Sequence, residues 1–502
     1  MRRALIVVAL AALMLAVVQA EAATPTFRHG VAAGEVTSTS AILWTRAPAT
    51  GNVRLVVRLG SEVVAARVLQ AAAANDLTVQ SRITGLRPGR RYTYLFTRGV
   101  RVSETGTFTT APTPSADRRV RFALSGDADA TPGANGTPAF NRFQVYGRMA
   151  AERNDFNINI GDTIYSDSEV GGSPAAKTAA EKWAKYKQGL ALPGLRTLRA
   201  SAGLYSHWDD HEFVNDFSHS EHGVAIYGAG VKAFRDYSPV TYSPSHGLYR
   251  SVRWGKHLEL IFLDERSFRS AKASRVCDGD LAPTAPPAVR AAFVPLVPAL
   301  AASVSAECLA TISDPRRTML GARQYAAFTK EIAASAATWK VVVNEVPIQQ
   351  YYTLPYDRWE GYASERERLL RFLERNVRNV VFLTTDQHAN LIGEIRYRTL
   401  EAPVESSGMW EVVTGPVATN TFSKSIENLL GTRGTASAIA ALFFKPQPPR
   451  GIGMRCAALD VYSYAQVTVT ARTLTVAPRD AAAKPVREAT GVPCAPLVLT
   501  AR

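Results

Sequence analysis

Phe156-Asn157-Ile158-Asn159-Ile160-Gly161-Asp162-Thr163-Ile164-Tyr165-Ser166-Asp167 reads as a buried strand that stops at a glycine and opens into carboxylates and a phenol. An apolar run ending in hard, metal-seeking groups is how an α/β protein assembles a site, because the carboxyl ends of neighbouring strands open into a crevice. An aspartate directly after such a strand is well placed to bridge two cations. A tyrosine three residues later can supply a phenolate, which suits ferric iron. Alone, Tyr165 would read as a loop aromatic with a solvated hydroxyl; beside Asp162 it reads as a donor. Asp167 is expected to support the donors rather than to be one.

Three further runs end in the same way. Phe122-Ala123-Leu124 leads into Ser125-Gly126-Asp127-Ala128-Asp129, where two carboxylates can reach one crevice, the alternative being an Asx-type loop cap. Ser206-His207-Trp208-Asp209-Asp210-His211-Glu212 is followed by Asn215. Acidic and imidazole groups in a row are costly to bury unless paired or bound to metal. Val381-Phe382-Leu383-Thr384-Thr385 ends in Asp386-Gln387-His388. The metal-donor candidates are therefore Asp127, Asp162, Tyr165, Asp210, Asp386 and His388, with Asp209 and Asn215 weaker. His211 is the candidate general acid for a leaving oxygen, since an imidazole titrates near neutrality. His219, His222, His246 and His257 read as satisfied structural histidines.

Working outward, the chain of 502 residues exceeds the size at which single cores stop growing, so two domains are expected. Residues 27–112 read as a small all-β domain of the fibronectin type III-like sandwich kind, with runs such as Ala41–Arg46, Val53–Leu59 and Tyr92–Thr97. Ala111–Arg118, with two prolines, is the expected linker. Residues 118–502 alternate strands with helices: Val120–Leu124, helix Phe140–Arg153, Phe156–Ile160, Leu258–Leu263, helix Ala322–Ser335, Trp339–Val343, helix Ser364–Asn376, Val380–Thr384 and Trp410–Val413. That is α/β. A late hairpin, Gln466–Thr470 with Thr473–Val476, completes a sheet. The insertion around 276–313 and the Ser423–Pro449 segment read as excursions with no assigned role.

Composition is globular, 46% hydrophobic and 20% charged, with a formal net charge of +15. Such a surface would attract a phosphorylated substrate or an anionic membrane, or simply be solvated. No dense basic run marks a nucleic-acid reader. Arg2–Arg3, the apolar run Ala4–Val18 and the small residues before Ala23 read as a signal peptide, Met1–Ala22, of the Sec type rather than the twin-arginine type. This predicts a periplasmic or secreted protein, and no later segment is apolar enough to anchor it across a bilayer. Four cysteines suit an oxidising compartment, and sequence-local pairing predicts Cys277–Cys308 and Cys456–Cys494.

Taken together these stretches resemble the alkaline phosphatase D (PhoD-like) family of calcineurin-like metallophosphoesterases. The resemblance rests on His29-Gly30-Val31-Ala32-Ala33-Gly34, Gly161-Asp162-x-x-Tyr165 and Trp208-Asp209-Asp210-His211-Glu212. It also rests on Leu263-Asp264-x-Arg266-Ser267-x-Arg269, Asp357-Arg358-Trp359-Glu360-Gly361-Tyr362 and Asp386-x-His388. It implies a four-layer α/β/β/α sandwich, a mixed ferric iron (Fe3+) and calcium (Ca2+) centre, and hydrolysis of phosphate mono- or diesters by a metal-bound hydroxide. A phospholipase D-type action on phospholipids, or a degenerate phosphate-binding protein, are the alternatives. By the same resemblance Asp162 bridges, Tyr165 binds iron, Asp210 is a ligand and His211 is catalytic. Arg358 would bind phosphate oxygens, unless it forms a surface ion pair. Family members often carry a cysteine iron ligand where this sequence has Gly126, and Asp127 would then replace the thiolate with a hard donor.

Overall fold

The computed structural model describes residues 27–172 and 174–502, so the expected signal segment Met1–Ala22 lies outside the described residues. Two large sheets face each other. In the first, Val120–Ser125, Phe156–Ile160 and Gly203–His207 run parallel at the centre. In the second, Leu258–Phe262, Trp339–Val343, Val380–Thr384 and Glu405–Val413 do the same. Parallel strands covered on both faces tend to be apolar on both faces, which is why Val120–Ser125, Leu258–Phe262, Trp339–Val343 and Val380–Thr384 are rich in Val, Ile, Leu and Phe.

Alternation along each strand sends its side chains into different layers. Phe122, Leu124, Ile158 and Ile160 of the first sheet meet Phe262, Val341, Val343 and Leu383 of the second in one core. Ala123 and Leu204 point outward, into a core shared with helices Gln144–Ala151, Ala179–Ala191, Pro193–Ser201 and His219–Tyr237. On the far side, Ile261, Val342 and Phe382 pack with helices Gly321–Ala334 and Ala363–Asn376. The result is the expected α/β/β/α arrangement.

The N-terminal residues form the expected small all-β unit. Gly51–Leu59, Glu62–Ala71 and Arg91–Arg98 make one sheet, closed by short strands at Arg101–Val102 and Gly106–Thr109. Their apolar faces share a core with Val31–Gly34, Ser40–Arg46 and Thr78–Thr84. Those three strands also extend the first large sheet, joined through a parallel pairing of Ala33 with Gly203. Tyr92 Oη accepts from Arg87 N at 2.7 Å, pinning the turn before its strand as tyrosine corners do.

Several elements differ from the sequence expectation. The helix expected over Phe140–Arg153 spans only Gln144–Ala151, because Phe143 is left-handed (φ 61°) and its N–H donates to Asn141 Oδ1 at 2.8 Å. Trp410–Val413 is the end of a longer strand beginning at Glu405. The late hairpin is Ser463–Val469 with Thr473–Asp480 and lies antiparallel beside Val120–Ser125. Gly203–His207 and Glu62–Ala71 carry no strong apolar alternation, and sequence reading passed over both strands. The disulfides Cys277–Cys308 and Cys456–Cys494 join as expected.

Candidate metal centre

The carboxyl ends of the two sheets meet. Thr385 Oγ1, just past Val380–Thr384, donates to Ile160 O at 2.6 Å. Around that junction the chain is held in unusual conformations. Asp127, Asp162, Asp386 and His388 have φ of 62°, 47°, 68° and 50°. A left-handed backbone costs an L-residue on the order of 1 kcal/mol, and it persists where surroundings over-determine it. The side chains then bridge strand ends: Asp127 Oδ1 accepts from Asp386 N at 3.3 Å and Asp162 Oδ1 from His211 N at 3.1 Å. Gly161 lets two strand ends approach: a Cβ there would stand 2.5 Å from the Asp209 Cβ.

These turns bring the strand-end donors into overlapping groups. Donor atoms of Asp127, Asp162 and His388 lie within 4.8 Å of one another, as do those of Asp162, Asp210 and His211. Asp209, Asp210 and Asp386 form a third group, and Asp210, Asp216 and Asp357 a fourth. Asp162 therefore belongs to two groups and Asp210 to three. Tyr165 joins the first, its Oη 3.0 Å from His388 Nε2.

At Gly126 a Cβ would fall 2.6 Å from Ile160 O and 3.0 Å from Gly161 O. A thiolate has no room there without a backbone shift, and the side chain this strand end presents is Asp127. Asp129 is not drawn into the groups. Its Oδ1 accepts from Thr131 N at 2.8 Å and its Oδ2 from Ser168 Oγ, so it caps its loop, the alternative the sequence left open. Asn215 is exposed at the cleft wall, and its backbone N–H donates to Asp167 Oδ2 at 2.6 Å.

The electrostatics fit cations. Burial pushes Asp162 and Asp127 well above the usual carboxylate range, with Asp386 adding repulsion at Asp127. Burial and Asp357 lift Asp386 to about 7. Burial also raises the Tyr165 phenol and lowers His388 to about 4, leaving its imidazole neutral and able to donate a lone pair. Buried Asp127 Oδ2 and Asp209 Oδ2 have no hydrogen-bond partner. Carboxylates packed this closely are costly without compensating positive charge, and the donor set of carboxylate, phenol and imidazole suits hard cations and ferric iron.

One compensating charge is built in. Arg266, fully buried, donates Nε to Asp209 Oδ1 at 2.5 Å and Nη1 to Asp357 Oδ2 at 2.7 Å, with Asp210 and Asp386 at 3.7 and 3.6 Å. Asp357 also pairs with Arg269, and burial notwithstanding the two guanidiniums hold it well below the usual range. Arg266, Arg269, Asp357 and Asp216 received no individual role from sequence. A signal existed: Asp264-Glu265-Arg266 follows the apolar run Leu258–Leu263, the same pattern as the other strand ends.

His211 and Arg358 border the same cleft. His211 Nδ1 lies 2.6 Å from Asp167 Oδ1, and its ring stacks on Tyr165 with centroids 4.1 Å apart. Burial works against its charge, but Asp162, Asp210 and Asp167 outweigh it and keep the imidazolium protonated well above its ordinary range. Glu212 ties the loops together, accepting from Thr163 N at 2.6 Å and Asp209 N at 2.8 Å. Arg358 is not a surface residue. It is buried beside Tyr351, donates to Gln387 Oε1 at 2.5 Å and Leu354 O at 3.0 Å, and pairs with no carboxylate among the described residues.

Known proteins resemble this chain in sequence and in fold. Residues 131–473 match the family model of the PhoD-like phosphatases, and residues 12–112 match the model of the PhoD-like phosphatase N-terminal domain. The chain is 25% identical over 420 residues to alkaline phosphatase D of Bacillus subtilis (strain 168), a match covering 72% of this chain and 64% of that protein. The matched region is thus under two thirds of the relative's length. A solved structure of PhoD superposes with a TM-score of 0.74 at 21% identity, over 95% of this chain and 90% of the other. A purple acid phosphatase from yellow lupin (Lupinus luteus) superposes with a TM-score of 0.57 at 12% identity, over 94% of this chain and 73% of the other. Both likenesses are of fold.

Proposed function

The chain belongs to the PhoD-like phosphatase family, and from that premise we propose that it hydrolyses phosphate mono- or diesters at a centre of two or more cations. The observation that carries this reading is the sharing of Asp162 and Asp210 between overlapping donor groups. Shared carboxylates are what a multinuclear centre needs, since one side chain can then touch two ions.

Asp127, Asp162, Tyr165 and His388 would hold ferric iron. Asp162 would bridge to calcium held by Asp210 and Asp386, with Asp209 and Asn215 at the margin. Bound cations supply Lewis-acid charge at the phosphoryl oxygens and acidify water. The protein's own groups do the rest. Arg358, fixed by Gln387 and the Leu354 carbonyl, offers its guanidinium to a phosphate oxygen. His211, oriented through Nδ1 by Asp167, keeps Nε2 free to protonate the departing oxygen.

Export belongs to the same proposal. Two disulfides suit an oxidising compartment, and no described helix is long and apolar enough to cross a membrane.

The test is release of p-nitrophenol from p-nitrophenyl phosphate and its bis-ester by protein loaded with iron and calcium. Chelator should abolish turnover. Asp162→Asn should lower it on the order of a thousandfold, the loss of ~4 kcal/mol of transition-state stabilisation, with the circular dichroism spectrum retained. Undiminished activity in that variant, or none in the loaded wild type, would refute the reading.

A further inference from the structure

The cleft over the candidate donors has a volume of about 370 Å³, within the range that encloses a small ligand. Its two ends differ in chemistry. One carries Asp162, Asp210, His211, Arg358 and His388. The other is walled by the two excursions that had no assigned role. Leu281, Val289, Phe293 and Leu296 come from the insertion closed by Cys277–Cys308. Ile426, Leu429 and Leu430 come from the Ser423–Pro449 segment, and Phe422 directly precedes it.

Helix Phe422–Leu430 is the informative element. Its apolar residues recur at i, i+4, i+7 and i+8, the spacing of a single face. Such a face is normally buried in a core; here Phe422 leans on the core beside Phe444, but no residue of the helix is buried and the face lines the cleft. Leu429 is 59% exposed and Leu296, in the insertion that also lines the cleft, 41%. Apolar surface left uncovered beside a reactive centre marks a ligand-binding wall.

The wall offers little to a polar alcohol group. Away from the donor end, Arg290 is the one charged side chain lining the cleft among the described residues. It is already committed, bonding both Asp280 oxygens at 2.7 and 2.8 Å and the carbonyls of Ala282 and Ala302 at 2.8 Å. A sugar or base would find only the hydroxyls of Thr353 and Ser425 here in exchange for its many hydrogen bonds to water. A hydrocarbon would not.

We propose that the apolar half of the cleft receives the single hydrocarbon tail of an amphiphilic phosphate ester whose phosphate lies at the Asp162–His388 end. This rests on the phosphoesterase reading for the position of the phosphate, and it names the group esterified to it. The residues that recognise the tail are Phe293, Phe422, Ile426 and Leu429.

Binding separates the two readings. The metal-loaded full-length protein is titrated calorimetrically with methyl-, butyl- and octylphosphonic acid, which cannot be hydrolysed. Affinity should rise about three- to fourfold per methylene over part of the series, the ~0.8 kcal/mol of burying each CH₂. Ile426→Ser and Leu429→Ser, on a helix with nothing buried, should flatten that dependence while leaving the melting temperature in place. Turnover of butyl and octyl phosphate should follow the same order in KM. A flat phosphonate series overturns the proposal even if the esters are hydrolysed. Chain-length-dependent binding without hydrolysis of any ester keeps it and removes the phosphoesterase reading. Binding to phosphatidylcholine vesicles without any gain for dissolved octylphosphonic acid also overturns it, reassigning the wall to membrane docking.

Discussion

The Oη of Tyr165 stands 3.0 Å from Nε2 of His388, although 223 positions separate the two residues. Tyr165 follows the Phe156–Ile160 strand of one sheet and His388 follows the Val380–Thr384 strand of the other. Their contact closes the crevice between the sheets. Tyr165 is buried and His388 half-buried, the phenol raised and the imidazole lowered in pKa, so each is neutral without a cation and the two heteroatoms face each other.

If that space holds ferric iron, Tyr165 gives it colour. Iron-loaded protein should show a visible charge-transfer band, and Tyr165→Phe should bleach it while iron content, measured by atomic absorption, stays within about twofold. An unchanged spectrum in the variant would remove Tyr165 from the iron site.

The donor after Val120–Ser125 can be located by substitution. Asp127→Cys should retain iron and shift its absorption, as a soft thiolate replaces a hard oxygen. Gly126→Cys should instead lower stability by about 1–3 kcal/mol, because its Cβ would press on the Ile160 and Gly161 carbonyls. Denaturant midpoints and absorption spectra of the two variants check both halves. A stable Gly126→Cys protein with thiolate-to-iron absorption would contradict the geometry.

Arg358 is expected to act on substrate rather than on stability. Arg358→Ala should raise KM for p-nitrophenyl phosphate about 10- to 100-fold, the ~1.5–3 kcal/mol of a charged hydrogen bond. Metal content should be unaffected. A KM equal to wild type would leave Arg358 as a packing residue against Tyr351.

Asp76 predicts a pH effect away from the centre. It accepts from Arg46 Nη2 and Lys187 Nζ, both at 2.9 Å, and from Tyr237 Oη, clamping the N-terminal unit onto helices of the first sheet. Partial burial works against its charge, but these partners prevail and depress it to about 2 from 3.8. A depressed carboxylate contributes stability above its unfolded pKa and loses it as pH falls through the folded value. The clamp should therefore be fully present above pH ~4 and gone below ~2. Asp76→Asn, tolerated at its left-handed φ of 46°, should cost about 1 kcal/mol at pH 7 after solvent screening and nothing near pH 2. Melting temperatures across that window test it; a constant difference at all pH values would show the pair to be inert.

Much of the site was legible because its signals are local. An apolar run and the polar residue that ends it are neighbours in the chain, so Asp127, Asp162, Asp210 and Asp386 announce themselves at strand ends. Arg266 also follows an apolar run, but its partnership with Asp357, 91 positions away, exists only in the folded chain. Asp129 shows the converse. It shares the local signal of Asp127, yet hydrogen bonds to Thr131 and Ser168 hold it in the loop.

By itself, then, the sequence determined the α/β alternation, the all-β N-terminal unit, the four strand ends that carry candidate donors and the local disulfide pairs. All of these depend on residue periodicity or short chain separation. Tertiary structure alone decided which candidate donors share space, that Arg266 sits among four carboxylates, and that Ile426, Leu429 and Leu430 of helix Phe422–Leu430 line a cleft. Those outcomes depend on how two sheets and two insertions pack. Packing brings together groups hundreds of residues apart, and no local pattern encodes their distance.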